Sequence, residues 1–216
     1  MYFNELQNYF NSANALEIGG PSQLLGNFYN KLKSCYFLNC KDGMEAHARA
    51  WGNNNLETMF YGDATVEEDL QKFKNILIDL LFTSHTVEHI ANPVKAIKLW
   101  ADILVKKGTI FNIVPNKDQC WDRSRPYTSL EHILQDYHNN TLENDLTHIH
   151  ESACMQETRP SYYNDVGVAN NKRVIHHHVY HKDIFKEMHE YCGFSTIFCD
   201  IIQDDPLQIV YIGSKQ

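Results

Sequence analysis

The run Ala15 to Ile18 is short and mainly apolar, and it stops at Gly19-Gly20-Pro21. This break constrains the chain more than any other stretch. A run of that length bounded by a turn signal reads as a buried strand. Ser22 then stands where an N-cap would, and Leu24, Leu25 and Phe28 recur at helical spacing. Strand, glycine turn and helix together bring backbone N–H groups close to a nucleotide-like ligand. Glycine is needed there because a Cβ would block the approach or forbid the φ angles of the turn. The turn departs from G-x-G-x-x-G: its two glycines are adjacent, and Glu17 sits two residues before the first.

Strand and helix signals alternate along the rest of the chain. Phe3, Leu6 and Phe10 predict a short N-terminal helix against the sheet edge. Cys35 to Leu38 reads as a second strand, ending in Asn39-Cys40-Lys41-Asp42. In nucleotide-binding α/β folds an acid just past this strand accepts hydrogen bonds from ribose hydroxyls. Here Asn39 holds the position, with Asp42 three residues later. Leu56 to Tyr61 is a third strand, and the Asp63 of the following Gly62-Asp63-Ala64 would cap a helix beginning near Val66. Asn75 to Ser84 is apolar on both faces, as a central parallel strand must be.

Asn92 and Pro93 start a helix as cap and first residue, with Val94, Ile97, Ala101 and Leu104 as its stripe and Gly108 as its end. Thr109 to Val114 is strand five. Lys182 to Cys192 reads as a helix closed by Gly193. Phe194 to Ile202 and Leu207 to Ile212 are strands whose short link rules out a crossover, so they pair antiparallel. The expected fold is a Rossmann-like α/β domain: a mostly parallel seven-stranded sheet ending in an antiparallel hairpin, with helices on both faces. A ligand would lie across the carboxyl ends of the strands, where Gly19, Asn39, Asp63 and Ser84 fall.

With 216 residues, a single domain over residues 1–216 is expected. Its 27 acids against 19 Lys and Arg give a net charge of −8, the wrong sign for gripping nucleic acid through phosphates. Basic pairs occur only at Lys106-Lys107 and Lys172-Arg173. No run approaches the roughly 18 apolar residues that cross a bilayer. The six cysteines form no Cys-x-x-Cys pair, so they read as reduced residues of a cytoplasmic protein, and the N-terminus lacks a signal-peptide pattern.

Glu17-Ile-Gly-Gly-Pro-Ser22 looks like the first motif of class I S-adenosylmethionine (SAM) methyltransferases. Further matching stretches follow it in order. They are Ser84-His-Thr-Val-Glu-His89, Asn92-Pro93, Val114-Pro-Asn-Lys117, Asp122-Arg-Ser-Arg-Pro-Tyr-Thr128, Glu131-His132, Asp136-Tyr137, His148 to Glu151 and His177-His-Val-Tyr180. Over most of residues 13 to 213 the chain thus resembles the SAM-dependent methyltransferases of glycan-assembly systems. The resemblance implies SAM as cofactor, S-adenosylhomocysteine as product and a sugar or glycan acceptor such as a deoxysugar like rhamnose. It also implies a domain that stands alone or forms part of a larger glycosyltransferase chain. Carried onto this sequence, it puts Glu17, Gly19, Gly20, Pro21 and Ser84 around the methionine part and Asn39 or Asp42 at the ribose. Asp63, Ala64 and His85 would lie near the adenine or the methionyl chain. His85 and His89 are alternatively structural residues of a helix start.

A sulfonium methyl is already activated, so the protein must mainly align the acceptor. An attacking hydroxyl must still lose its proton, for which a neutral histidine held by a carboxylate suits pH 7. Such groups concentrate in residues 115–180, read as an acceptor-binding insertion. There Leu130, Ile133, Leu134 and Tyr137 mark an apolar helix face, with His132 and Asp136 one turn apart on the other. Asp145, His148 and Glu151 are spaced i, i+3, i+6, as a base with its orienting carboxylates, weak divalent-metal ligands or a capped helix start. The expected base is His132 or His148, oriented by Asp136 or Glu151.

Asp122, Arg125 and His178 are candidate acceptor contacts, and Arg123 and Arg125 alternatively pair with Asp122 on the surface. Strand alternation would put His176 and His178 on one face and His177 on the other, which argues against a single ion held by all three. Trp51 and Trp121 are core residues or sugar platforms. No metal site is assigned, though a divalent ion is left open. Two other readings keep the fold: a methyltransferase for a small molecule, lipid or protein side chain, and a non-catalytic SAM-binding module.

Overall fold

The computed structural model describes residues 1–40, 58–154 and 175–216. Asp42, Trp51, Lys172 and Arg173 lie outside the described residues. Seven strands form one sheet: β1 (Asn14–Ile18), β2 (Ser34–Asn39), β3 (Met59–Tyr61), β4 (Ile78–Ser84), β5 (Leu104–Pro115), β6 (Phe194–Ile201) and β7 (Gln208–Lys215). Their order is β3-β2-β1-β4-β5-β7-β6. β1 to β5 run parallel, and β7 enters antiparallel between β5 and β6. The α/β sheet with its terminal hairpin is therefore as the sequence predicts.

The α-helices are α1 (Glu67–Leu70), α2 (Pro93–Ile103), α3 (Leu130–Asn139), α4 (Leu146–Cys154) and α5 (Lys182–Tyr191). Strand alternation splits the core into two layers. Leu16, Leu81 and Ile110 face one layer, shared with Leu70, Ile97, Trp100, Ile133 and Phe185 of the helices. Leu80, Phe82 and Phe111 face the other, which two 3-10 segments cover, Phe3–Phe10 and Gly26–Lys31. The N-terminal segment thus lies over the middle of the sheet and not at its edge, with the Phe10 ring 5.1 Å from Phe82 and 5.2 Å from Phe111.

The helix expected after the glycine turn is only the 3-10 segment Gly26–Lys31. Gly26, Asn27 and Asn30 are poor helix formers, and the connection must return within a few residues to β2. The helix of residues 93 onward begins as predicted, since the Asn92 side chain accepts from Lys95 N at 3.1 Å and Pro93 occupies its first turn. It ends at Ile103, however, because β5 already starts at Leu104 and carries Gly108 within it. A buried polar chain ties the layers together: Thr83 Oγ1 donates to Asn112 Oδ1 (2.9 Å), and Asn112 Nδ2 to His189 Nε2 (2.8 Å). Among the described residues no helix is long and apolar enough to cross a membrane.

Candidate active site

The turn after β1 is held from both sides. Gly19 has φ +83°, and a Cβ there would stand 2.2 Å from Thr86 Oγ1. A Cβ on Gly20 would stand 2.2 Å from the Glu17 carboxylate. Asn39, at the end of β2, donates from Nδ2 to the carbonyls of Gly19 (2.9 Å) and Gly20 (3.0 Å). It therefore braces the turn with the amide that the sequence offered to a ribose. Asp63 Oδ1 accepts from Thr65 N (2.8 Å) and Oγ1 (2.7 Å), closing the turn ahead of α1 in place of capping the helix.

Glu17 is 0% exposed. Its Oε2 accepts from the Tyr29 hydroxyl at 2.6 Å and its Oε1 from Ser22 N at 3.2 Å. Burial lifts its carboxyl from 4.5 to about 7, against the lowering effect of these bonds. A carboxyl raised in the folded state contributes most below its unfolded pKa, and that contribution is lost as pH rises through the folded value. Wild-type stability should therefore fall between about pH 5 and about pH 8 by on the order of 3 kcal/mol from this group, and Glu17→Gln should flatten the fall. Denaturant midpoints at both pH values check this; an unchanged slope in the variant would remove Glu17 as the cause.

Beyond β4 the chain turns through His85, a non-glycine residue at φ +51°. Its Nε2 lies 2.8 Å from Gln208 Oε1, and its Nδ1 stands 3.5 Å from Glu88 Oε1. Glu88 is 1% exposed, and among the described residues neither of its carboxylate oxygens has a hydrogen-bond partner. His89 Nδ1 lies 2.9 Å from the Ile175 carbonyl, so it donates there. Desolvation pushes His89 down to about 4.

The insertion folds its imidazoles onto this turn. His177 N donates to Glu88 O at 2.7 Å, and His178 Nε2 meets Ala91 O at 3.0 Å. All three consecutive histidines are buried. They form no sheet strand, and each finds a different partner, which overturns the expected strand alternation. His176 Nδ1 donates to Asp122, and Arg125 Nη1 bonds Asp122 Oδ1 (2.9 Å) and the His176 carbonyl (2.8 Å). Arg125 and Asp122 are thus an internal clamp and not a surface pair. Burial would raise Asp122, but His176 and Arg125 outweigh it and hold the carboxyl well below the usual range. Trp121, half-exposed, leans on the His176 ring with centroids 5.2 Å apart.

His132, Asp136 and His148 do come together. His132 Nε2 is 2.9 Å from His148 Nε2 and 3.2 Å from Asp136 Oδ2, which is 3.4 Å from His148 Nε2. His148 Nδ1 in turn lies 3.2 Å from His177 Nδ1. The Asp136 bond raises His132, whose side chain is 35% exposed. Clefts of about 220 Å³ and 210 Å³ open on its two sides, the first reaching Glu151 and Tyr127, the second Gln135 and Asp145. Asp145 Oδ1 accepts from Thr147 N (2.9 Å) and His148 N (3.2 Å), so it caps α4. Sequence reading missed Tyr29, Thr86 and Gln208, whose roles arise only from contacts distant in the chain.

No family model matches the chain, and no curated protein matches it. Solved structures do. A SAM-dependent methyltransferase from Thermotoga maritima, named as a possible histamine N-methyltransferase, is 14% identical with a TM-score of 0.57, covering 99% of this chain and 87% of its own. The CurJ carbon methyltransferase is 10% identical with a TM-score of 0.53 over 95% of this chain. An O-methyltransferase family 2 protein from Planctomyces limnophilus, in complex with apigenin, is 8% identical with a TM-score of 0.54 over 95% of this chain. The chain spans about half the length of these last two, 49% and 50%. Carbon, nitrogen and oxygen acceptors all occur among them, so what they share with this chain is the class I methyltransferase fold.

Proposed function

We propose that this chain is a SAM-dependent O-methyltransferase that methylates a hydroxyl of a sugar or glycan, in the manner of glycan-assembly methyltransferases. The observation that supports it most is the group of His132, Asp136 and His148, tied to the segment that follows β4 by Asn92 Nδ2, which donates to the Asp136 carbonyl at 3.0 Å, and open to clefts through His132. Residues around the glycine turn fit the cofactor. The Gly19 backbone is left-handed, and the buried Ser22 hydroxyl has no hydrogen-bond partner of ordinary geometry among the described residues. Gly19, Gly20, Pro21 and Ser84 would hold its methionine part, with Ala64, Asp63 and His85 toward the adenine side.

Bound SAM supplies a methyl already activated on a sulfonium. The protein's share is to orient the acceptor hydroxyl in line and to accept its proton. With Nε2 turned to Asp136 and His148, the other ring nitrogen of His132, Nδ1, takes that proton as the oxygen attacks. Asp136 and His148 both hold the imidazole at Nε2, and Asp136 balances the imidazolium. Asp122, Arg125 and His178 shape the wall behind the acceptor cleft, and Glu151 stands at its rim.

Calorimetric titration of the purified protein with SAM, and separately with NADH, tests the reading. Micromolar SAM binding with NADH silent is expected, and it licenses a screen of rhamnose and other deoxysugar acceptors. No heat with SAM would overturn the proposal.

A further inference from the structure

A second cluster lies under the β4 turn, apart from His132. One ligand atom from each of Glu88, His89 and His176 falls within 4.8 Å of the others. The hydrogen-bond pattern fixes what these atoms present to each other. The Nδ1 of His89 meets a carbonyl and that of His176 meets the ionised Asp122, so in both rings Nδ1 carries the hydrogen. Each ring's remaining ligand atom is then Nε2. The third member is a carboxylate that is 1% exposed and has no hydrogen-bond partner on either oxygen among the described residues.

His85 meets only one edge of this carboxylate, its Nδ1 standing 3.5 Å from Glu88 Oε1 while its Nε2 faces Gln208 Oε1 at 2.8 Å. The ring nitrogens of His89 and His176 thus converge on a buried carboxylate that accepts no hydrogen bond from a described residue. A buried carboxylate in such surroundings is unfavourable unless a cation sits among the groups.

We propose that Glu88, His89 and His176 bind one divalent first-row metal ion of the Mn²⁺, Co²⁺ or Zn²⁺ type. Two imidazoles with one carboxylate select such ions over Ca²⁺ and leave coordination positions open. The supporting shell is also that of a metal site: Asp122 orients His176, Arg125 holds Asp122, and the Ile175 carbonyl orients His89. Half-buried His89 leaves a way in. The His132 group is a second set of convergent groups. His132 and His148 Nε2 lie 2.9 Å apart and within 3.2 and 3.4 Å of Asp136 Oδ2. His178, bonded to Ala91 O through Nε2, keeps Nδ1 without a hydrogen-bond partner among the described residues. The variants below separate the two sets. On the reading proposed above, the open positions of the ion would take acceptor hydroxyl oxygens. That role rests on that reading; metal binding does not.

The test is titration of chelator-stripped protein with Co²⁺ and Zn²⁺, without SAM, by calorimetry and by the visible ligand-field bands of Co²⁺. One ion per chain is expected. Glu88→Gln should abolish the bands, and Asp122→Asn should weaken binding by about 10- to 100-fold. His132→Ala should leave binding unchanged. His176→Gln serves as a second ligand variant, with melting curves confirming that each variant folds. Wild-type protein that binds neither ion overturns the assignment. So does binding that survives Glu88→Gln and His176→Gln but is lost in His132→Ala. SAM titration of the same stripped protein separates failure here from failure of the methyltransferase reading.

Discussion

Gly19→Ala is expected to lower folding stability by about 2–3 kcal/mol and to remove measurable SAM binding. Two costs add. Alanine at φ +83° sits in the left-handed region that L side chains avoid, which costs about 1–2 kcal/mol. Its Cβ would also stand 2.2 Å from Thr86 Oγ1 and 3.0 Å from Thr86 Cγ2. Thr86 is β-branched and stiff at χ1, and its hydroxyl reaches the Ile18 and Ser84 carbonyls at 3.3 Å, so it yields little. The double variant Gly19→Ala/Thr86→Ala should regain the clash part and keep the backbone part. Denaturant unfolding of the three variants measures the split. Wild-type stability in Gly19→Ala would mean that the turn does not hold the left-handed conformation.

His132→Ala should reduce kcat about 10²- to 10⁴-fold at saturating SAM while leaving SAM affinity unchanged, the loss typical of a general base. The pH profile gives a readout that a structural role would not move. The Asp136 bond is the largest influence on His132 and raises its pKa above the ordinary 6.5. Activity should therefore rise with pH along a limb above that value, as His132 loses its proton. Asp136→Asn removes the negative charge, so the limb should move to lower pH as kcat falls. Turnover that survives His132→Ala, or a limb that ignores Asp136→Asn, would sink the base assignment.

The alternation of strands and helices was readable because each strand carries its own periodicity. Apolar Ile78–Ser84 is central, and the short link between Phe194–Ile201 and Gln208–Lys215 forces them antiparallel. The departures have local causes of another kind. Residues 26–31 form a 3-10 segment because weak helix formers meet a short connection, and α2 ends at Ile103 because pairing of β5 with β4 claims Leu104. Neither competition is visible in a residue pattern.

The site divides in the same way. His132 and Asp136 were legible as a pair because one helical turn brings them together, whatever the rest of the chain does. That His148 joins them, that Arg125 is an internal clamp, and that Glu88 meets His89 and His176 depend on segments up to 88 residues apart folding onto one turn. The sequence by itself determined the sheet, its glycine turn and the helical pairing, since these follow from spacing along one element. Only the tertiary structure decided which imidazoles meet one another and which converge on a buried carboxylate, because hydrogen bonding and ligation depend on partners that the chain brings together only when folded.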